Sequence, residues 1–218
     1  MSIALSIGNN LTTGGVFTSS AVNNTSVTNV TDFASVPGGG ALKLLSTQTA
    51  SASASISFTS DIDSTYDSYV FKFIEIHGST DTQFSLNFST DGGSNYNVVK
   101  TTSKFGAYHA EADNNAGIGY DGNDDIAQGT GFVSITTNGF QTTDNDHCMN
   151  GTMLLFNPSS TTFVKHFITT TSFNLYENAE GNAFNAGYAN TTSAINAIQF
   201  KFDSGNIDSG IIKMYGVV

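Results

Sequence analysis

The sequence predicts an all-β protein, an antiparallel jelly-roll-like β-sandwich with an extended N-terminal arm. Three observations predict it. Apolar residues recur at every second position in short runs, as in Phe84, Leu86 and Phe88 between Ser85, Asn87 and Ser89, the period that turns one face of a strand to a core. Gly, Asn, Asp and Ser cluster between the runs, as at Asp91-Gly92-Gly93 and Asn157-Pro158-Ser159-Ser160, where chain reversals need such residues. No stretch keeps a 3.6-residue apolar period over a convincing helix length. At 218 residues, one β domain of about eight strands plus an arm accounts for the chain.

Residues 1–40 are almost without charge, rich in Ser, Thr, Asn and Gly, and end in Pro37-Gly38-Gly39-Gly40. They hold too few large apolar side chains for a core of their own and read as an arm ordered by a neighbour, with residues 41–218 as the sandwich. In Ser51–Phe58 the side chains of Ala52, Ala54, Ile56 and Phe58 alternate with serines, predicting a strand with one dry face. Asp61, Asp63, Ser64 and Asp67 interrupt it. Tyr69–Ile76 then has apolar residues on both faces, predicting a central strand buried on both sides, with Phe71 and Phe73 toward the core.

Phe84–Ser89, the Asp91-Gly92-Gly93 turn and the returning Tyr96, Val98 and Val99 predict a hairpin. Residues 101–150 lack an apolar period and read as long loops, the place where binding surfaces usually form. Met153–Phe156, the Asn157-Pro158 turn and the run with Phe163, Lys165 and Phe167 opposite Val164, His166 and Ile168 predict a second hairpin. Ile195, Ile198, Phe200 and Phe202, a Gly-containing turn, and Ile211–Val218 predict a last pair.

Composition narrows the partners. The chain carries 18 carboxylates against 7 lysines, no arginine, and a net charge of −11, so it lacks the clustered cations that nucleic acid or an anionic membrane surface would need. The single cysteine, Cys148, excludes an intramolecular disulfide framework. No apolar run reaches the ~18 residues of a membrane span, and the first ten residues lack the basic start of a secretory signal. Synthesis in a cytoplasm without a signal peptide is the expectation.

Five segments, ISFTSDIDSTYDSYVFKF, LNFSTDGGSNYN, LLFNPSSTTFVKHF, TTSAINAIQFKFDSGNIDSG and the closing IIKMYGVV, occur in order over about residues 40–218. Together they resemble virion-associated β-sandwich proteins of marine bacteriophages. The resemblance implies a non-enzymatic structural or adsorption role on the particle, here a decoration or fibre-type appendage that contacts other virion proteins; the sparse surface charge, which leaves little repulsion against close packing, adds the expectation of a homotrimer. The alternative is a module of the adsorption apparatus that binds host-surface glycans through the 105–150 loops. It carries no catalytic motif, and no catalytic, cofactor-binding or metal residue is assigned.

The acidic clusters Asp61, Asp63 and Asp67, and Asp121, Asn123, Asp124 and Asp125, lack the spacing of a calcium loop and read as solvated turns. His147-Cys148 beside Asp144 and Asp146 reads as a loop, because neighbouring residues of an extended chain point apart and no second cysteine exists. His77, His109 and His166 have no paired carboxylate at a catalytic spacing. Tyr66 and Tyr69 read as corner residues tying a loop to the core rather than as a sugar-stacking shelf.

Overall fold

A computed structural model describes residues 41–218 except Glu177; the arm expected over residues 1–40 lies outside the described residues. The fold is all-β, two antiparallel sheets packed face to face, with no helix among the described residues. Its strands are β1 (Leu42–Thr49), β2 (Ile56–Phe58), β3 (Ser68–Gly78), β4 (Phe84–Ser89), β5 (Lys100–Ala110), β6 (Ala116–Tyr120), β7 (Val133–Ser134), β8 (Met149–Phe156), β9 (Lys165–Leu175), β10 (Ala179–Ala189), β11 (Ala197–Phe202) and β12 (Ile207–Val217). One sheet has eight strands in the order β1-β12-β3-β8-β9-β10-β5-β6, the other four in the order β2-β11-β4-β7.

The strand order explains the architecture. With β5, β6, β9 and β10 set aside, eight strands remain, and their two sheets interleave early and late strands as a jelly roll does, the first beside the last and the second beside the last but one. The four strands set aside are two antiparallel pairs, β5 with β6 and β9 with β10. They extend one jelly-roll sheet beyond β8 in the order β9-β10-β5-β6. The about eight strands of the sequence reading are thus the jelly roll, and the extension is an addition to it.

The core lies where Tyr69, Phe71, Phe73, Met153, Leu155, Ile212 and Met214 of the wide sheet face Phe58, Phe84, Leu86, Phe88, Ile198, Phe200 and Phe202 of the narrow one, all buried. Phe200 is its hub, with ring centroids 5.2 Å from Phe73, 5.6 Å from Phe71, 6.2 Å from Phe84 and 6.3 Å from Phe58.

Several elements differ from the sequence reading. The Ser/Ala stretch is a strand only at Ile56–Phe58. Ala52 and Ala54 are exposed, and Ala52 takes a left-handed φ of 48°, because a methyl group gives too little apolar area to hold a strand face inward. β3 is central in its pairing, between β12 and β8, with Phe71 and Phe73 in the core, but Val70, Lys72 and Ile74 on its other face are only half-buried. The strand buried on both faces is β4. There the polar side is sealed by loops: Asn87 Nδ2 donates to the carbonyls of Tyr96 and Thr130, and Ser85 Oγ to Asp203 Oδ1.

The Asp91-Gly92-Gly93 turn does not close a hairpin, since β4 pairs with β11 and β7. Gly93 supplies a φ of 89°, and the chain crosses to the other sheet and enters β5 instead. The Asn157 turn does join a hairpin, β8 with β9, although Phe163 stands outside it and is 72% exposed. The last two strands, β11 and β12, belong to different sheets and do not pair. Between residues 101 and 150 the expected loops contain most of β5, all of β6 and β7, and the start of β8. Their alternation was hidden because the inward positions of β5 are Lys100, Thr102 and Lys104, all buried.

Candidate functional site

The segment between β6 and β8 packs on the inner face of the extension through polar contacts. Lys104 Nζ donates to Asp124 Oδ2 at 2.7 Å and to the Thr136 carbonyl at 2.8 Å, and lies 3.1 Å from Asp121 Oδ2. Gln83 Nε2 also donates to Asp124. Thr102 Oγ1 accepts from the Ile126 N–H, and Thr171 Oγ1 donates to the Ile135 carbonyl. Lys100 Nζ donates to the carbonyls of Val98 and Gly131 at 3.0 and 2.6 Å, and burial depresses its pKa to about 8. These contacts place a polar roof over half of the extension.

Beyond the roof the inner face opens into a cleft of about 300 Å³ at the far end of β5, β6 and β10. Its floor includes Gly106 and Gly119, and its walls include Tyr108, Tyr120, Tyr176, Asn115, Asn138 and Asp121. Each tyrosine is seated on a glycine. A β-carbon on Gly117 would lie 2.9 Å from Tyr108 Cε1, one on Gly139 2.5 Å from Tyr176 Cδ1, and one on Gly122 3.4 Å from Tyr120 Cε1. Tyr108 donates to Asn115 Oδ1 at 3.2 Å. Tyr120 donates to Asp125, which raises the tyrosine's pKa. Tyr108, Tyr120 and Tyr176 are 38%, 64% and 55% exposed as residues, so each keeps surface open to solvent.

The candidates singled out from sequence fall in several places. Asp121, Asp124 and Asp125 come together at the cleft edge, where Asp121 and Asp124 share the single ammonium of Lys104 and Asp125 is engaged by Tyr120. Asp63 accepts from the Thr65 N–H and from Tyr69 Oη, and the Thr65 hydroxyl, followed by these bonds, holds its carboxyl below the usual range. Tyr69 is fully buried, accepts from the Asp63 N–H at 3.0 Å and donates to the Asp63 carbonyl at 2.9 Å. Tyr66 packs edge-on against it at 5.9 Å and lies over Gly216. Both act as corner residues.

Asp144, Asp146 and His147 do converge, with one donor atom from each within 4.8 Å of the others, but both carboxylates are exposed. Cys148 is not part of that group; it accepts from Asn150, and burial pushes its thiol up, opposite to what a nucleophile requires. His77 contacts the Asp144 carbonyl, His109 pairs with Asp113 at the surface, and His166 lies 5.9 Å from the Tyr188 ring.

The tyrosine cleft was only half legible in sequence. The sequence marks the 105–150 region as a binding surface, yet Tyr176 comes from the β9–β10 turn, and only strand pairing brings it across from Tyr108. Gly117, Gly119 and Gly122 interleaved with Tyr120 were the available signal. The chain matches no protein-family model, no curated protein and no solved structure.

Proposed function

We propose that the chain is a non-enzymatic structural protein of a bacteriophage particle, a decoration or fibre-type module that assembles as a homotrimer. The observation that carries this reading is the outer face of the wide sheet. Strand register aligns Leu44, Tyr215, Val70, Leu154, Ile168 and Ala186 in one row across six strands, a span of roughly 24 Å at the spacing of paired strands. Beside it Phe105 and Phe184 stack at 5.1 Å while 47% and 39% exposed. An apolar row of this kind favours burial against further copies, and closed symmetry repeats the contact on each of them.

The test is assembly. Full-length protein should sediment as a trimer at micromolar concentration, and antibody raised against it should label intact particles. Ile168→Asp, at a position 48% exposed in the single chain, should leave the melting temperature of a monomer nearly unchanged and dissociate the trimer. A monomeric parent that is absent from particles would overturn the reading.

A second reading, recognition of host-surface glycans, is favoured by the cleft. Two exposed tyrosines, Tyr108 and Tyr176, and two asparagines around a glycine floor offer flat apolar rings and neutral hydrogen-bonding groups, the pairing of surfaces that a sugar ring presents.

A further inference from the structure

Resting on the glycan reading, we infer that the cleft at the end of β5, β6 and β10 takes the neutral end of an oligosaccharide, with Tyr108 as its stacking platform. The size fits, since about 300 Å³ lies at the small end of ligand pockets and holds one or two sugar rings. Tyr108 is preorganised for the purpose. Gly117 lies under one edge of its ring and its hydroxyl is tied to Asn115, so little rotamer freedom remains to be lost on binding. A pyranose ring turns a patch of C–H groups to one side and hydroxyls to its rim; the first lies on an aromatic face, the second meets amides and carboxylates.

Charge sets the ligand class. Among the described residues that line the cleft, Asp121 carries the one formal charge, and its Oδ2 is 3.1 Å from Lys104 Nζ. That ammonium is already shared between Asp121, Asp124 and the Thr136 carbonyl, so no cation is left to receive a uronate or sialate carboxylate. An anionic sugar would instead meet Asp121, on a chain of net charge −11. A neutral sugar hydroxyl donates to the same carboxylate without that repulsion.

Gly119 allows the cleft to be closed without touching the fold. It lines the floor, a β-carbon placed on it meets nothing within 4 Å, and its φ lies outside the left-handed region. The experiment is saturation-transfer NMR on the full chain with cellotriose, laminaritriose, maltotriose and chitotriose, and with trigalacturonate as the acidic counterpart. At least one neutral trisaccharide should receive saturation, and trigalacturonate none. Gly119→Leu and Tyr108→Ala should each weaken the bound trisaccharide at least tenfold with an unchanged amide spectrum elsewhere, while Ile168→Asp on the outer face leaves it alone. Neutral binding that survives Gly119→Leu would keep the glycan reading and remove it from this cleft. Preference for trigalacturonate would keep the glycan reading and overturn the neutral assignment. Binding of none of the five by the parent protein would overturn both.

Discussion

The wide sheet contains two regions built with different interiors. From β1 to β8 its inner face is aromatic and aliphatic, meeting Phe200 and its neighbours across the sandwich. From β9 to β5 the inner face includes Lys165, Thr169 and Thr171, then Ala183 and Asn185, then Lys100, Thr102 and Lys104, all buried. The first region is held chiefly by area removed from water; in the second, buried polar groups share the inner face with Phe167, Phe173 and Leu175, and they are partnered one by one except at Asn185 Oδ1, which has no partner among the described residues. The contrast teaches that a strand can face inward without apolar residues, provided a covering segment returns a carbonyl or carboxylate to each donor. It also changes the surface: three of the seven lysines are buried, which leaves the exterior poorer in cations than the composition suggests.

The largest effect is expected in the aromatic half. Phe200→Ala removes a ring that meets four others, and a buried Phe→Ala change costs ~3–5 kcal/mol. The upper end of that range is expected, because neighbours on both sheets must relax into the space. Denaturant unfolding of the full chain measures it. A loss below ~1.5 kcal/mol would mean that the two sheets are not held by this cluster and would erase the contrast between the halves.

Next comes the polar half. Lys104→Met keeps the aliphatic stem but leaves Asp121 and Asp124, both largely buried, facing each other without a counter-charge. Breaking a buried pair from one side costs ~3–5 kcal/mol, and the lower end is expected here because both carboxylates keep some contact with water. The triple change Lys104→Met, Asp121→Asn and Asp124→Asn should recover part of the loss, which a purely steric role for Lys104 would not allow. Hydrogen exchange should show the 121–132 segment opening before the jelly roll does.

The same contrast decides what was legible. Phe71, Phe73, Phe84, Leu86, Phe88, Phe200 and Phe202 announce inward faces by size and period, and each is buried where the alternation placed it. β5 escaped because period two is visible only when the inward residue is apolar, and at 100, 102 and 104 it is Lys, Thr and Lys. Pairing partners escaped for another reason. Phe200 and Ile212 alternate equally well, yet β11 and β12 enter opposite sheets, and alternation gives the face of a strand without naming its neighbour. The tyrosine cleft depends on both missing pieces, so its residues were visible and their assembly was not.

A smaller effect tests whether the buried lysines are ionised. Burial lowers the Lys100 pKa from 10.5 to about 8. Between those values the unfolded chain binds more protons than the folded one, so this group's contribution to stability rises with pH across that window and is least favourable below it. Subtracting the stability of Lys100→Met from that of the parent isolates the site, since other titrations cancel. The difference should grow in the parent's favour from pH 8 to pH 10, with a slope of at most about 1.4 kcal/mol per pH unit. A flat difference would show that Lys100 stays fully hydrated and that the polar interior is wetter than its burial implies.

The smallest effect concerns the turn that carries the chain from the narrow sheet to the extension. Asp91 Oδ1 accepts from Ser89 Oγ at 2.6 Å and from the Asn95 N–H at 2.9 Å, and Oδ2 accepts from Asn95 Nδ2 at 2.7 Å. These bonds, led by Ser89, bring its carboxyl down to about 2 from 3.8. A carboxylate whose folded pKa is depressed contributes stability above the unfolded value and loses it as pH falls through the folded one. The window here is therefore pH 4 down to pH 2. The carboxylate stands at the surface, so solvent screens it and the loss at neutral pH should be small. The role of Asp91 is directional: with its bonds formed, residues 91–95 turn away from β4, leaving that strand's edge to β7 and β11, and deliver Val98 and β5 to the other sheet. Asp91→Ala should consequently flatten acid unfolding between pH 4 and pH 2 relative to the parent while leaving the neutral-pH fold intact. If the two proteins unfold in parallel through that window, the crossing is fixed by the packing of Val98 and β5 alone, and the polar groups at this junction follow the route rather than set it.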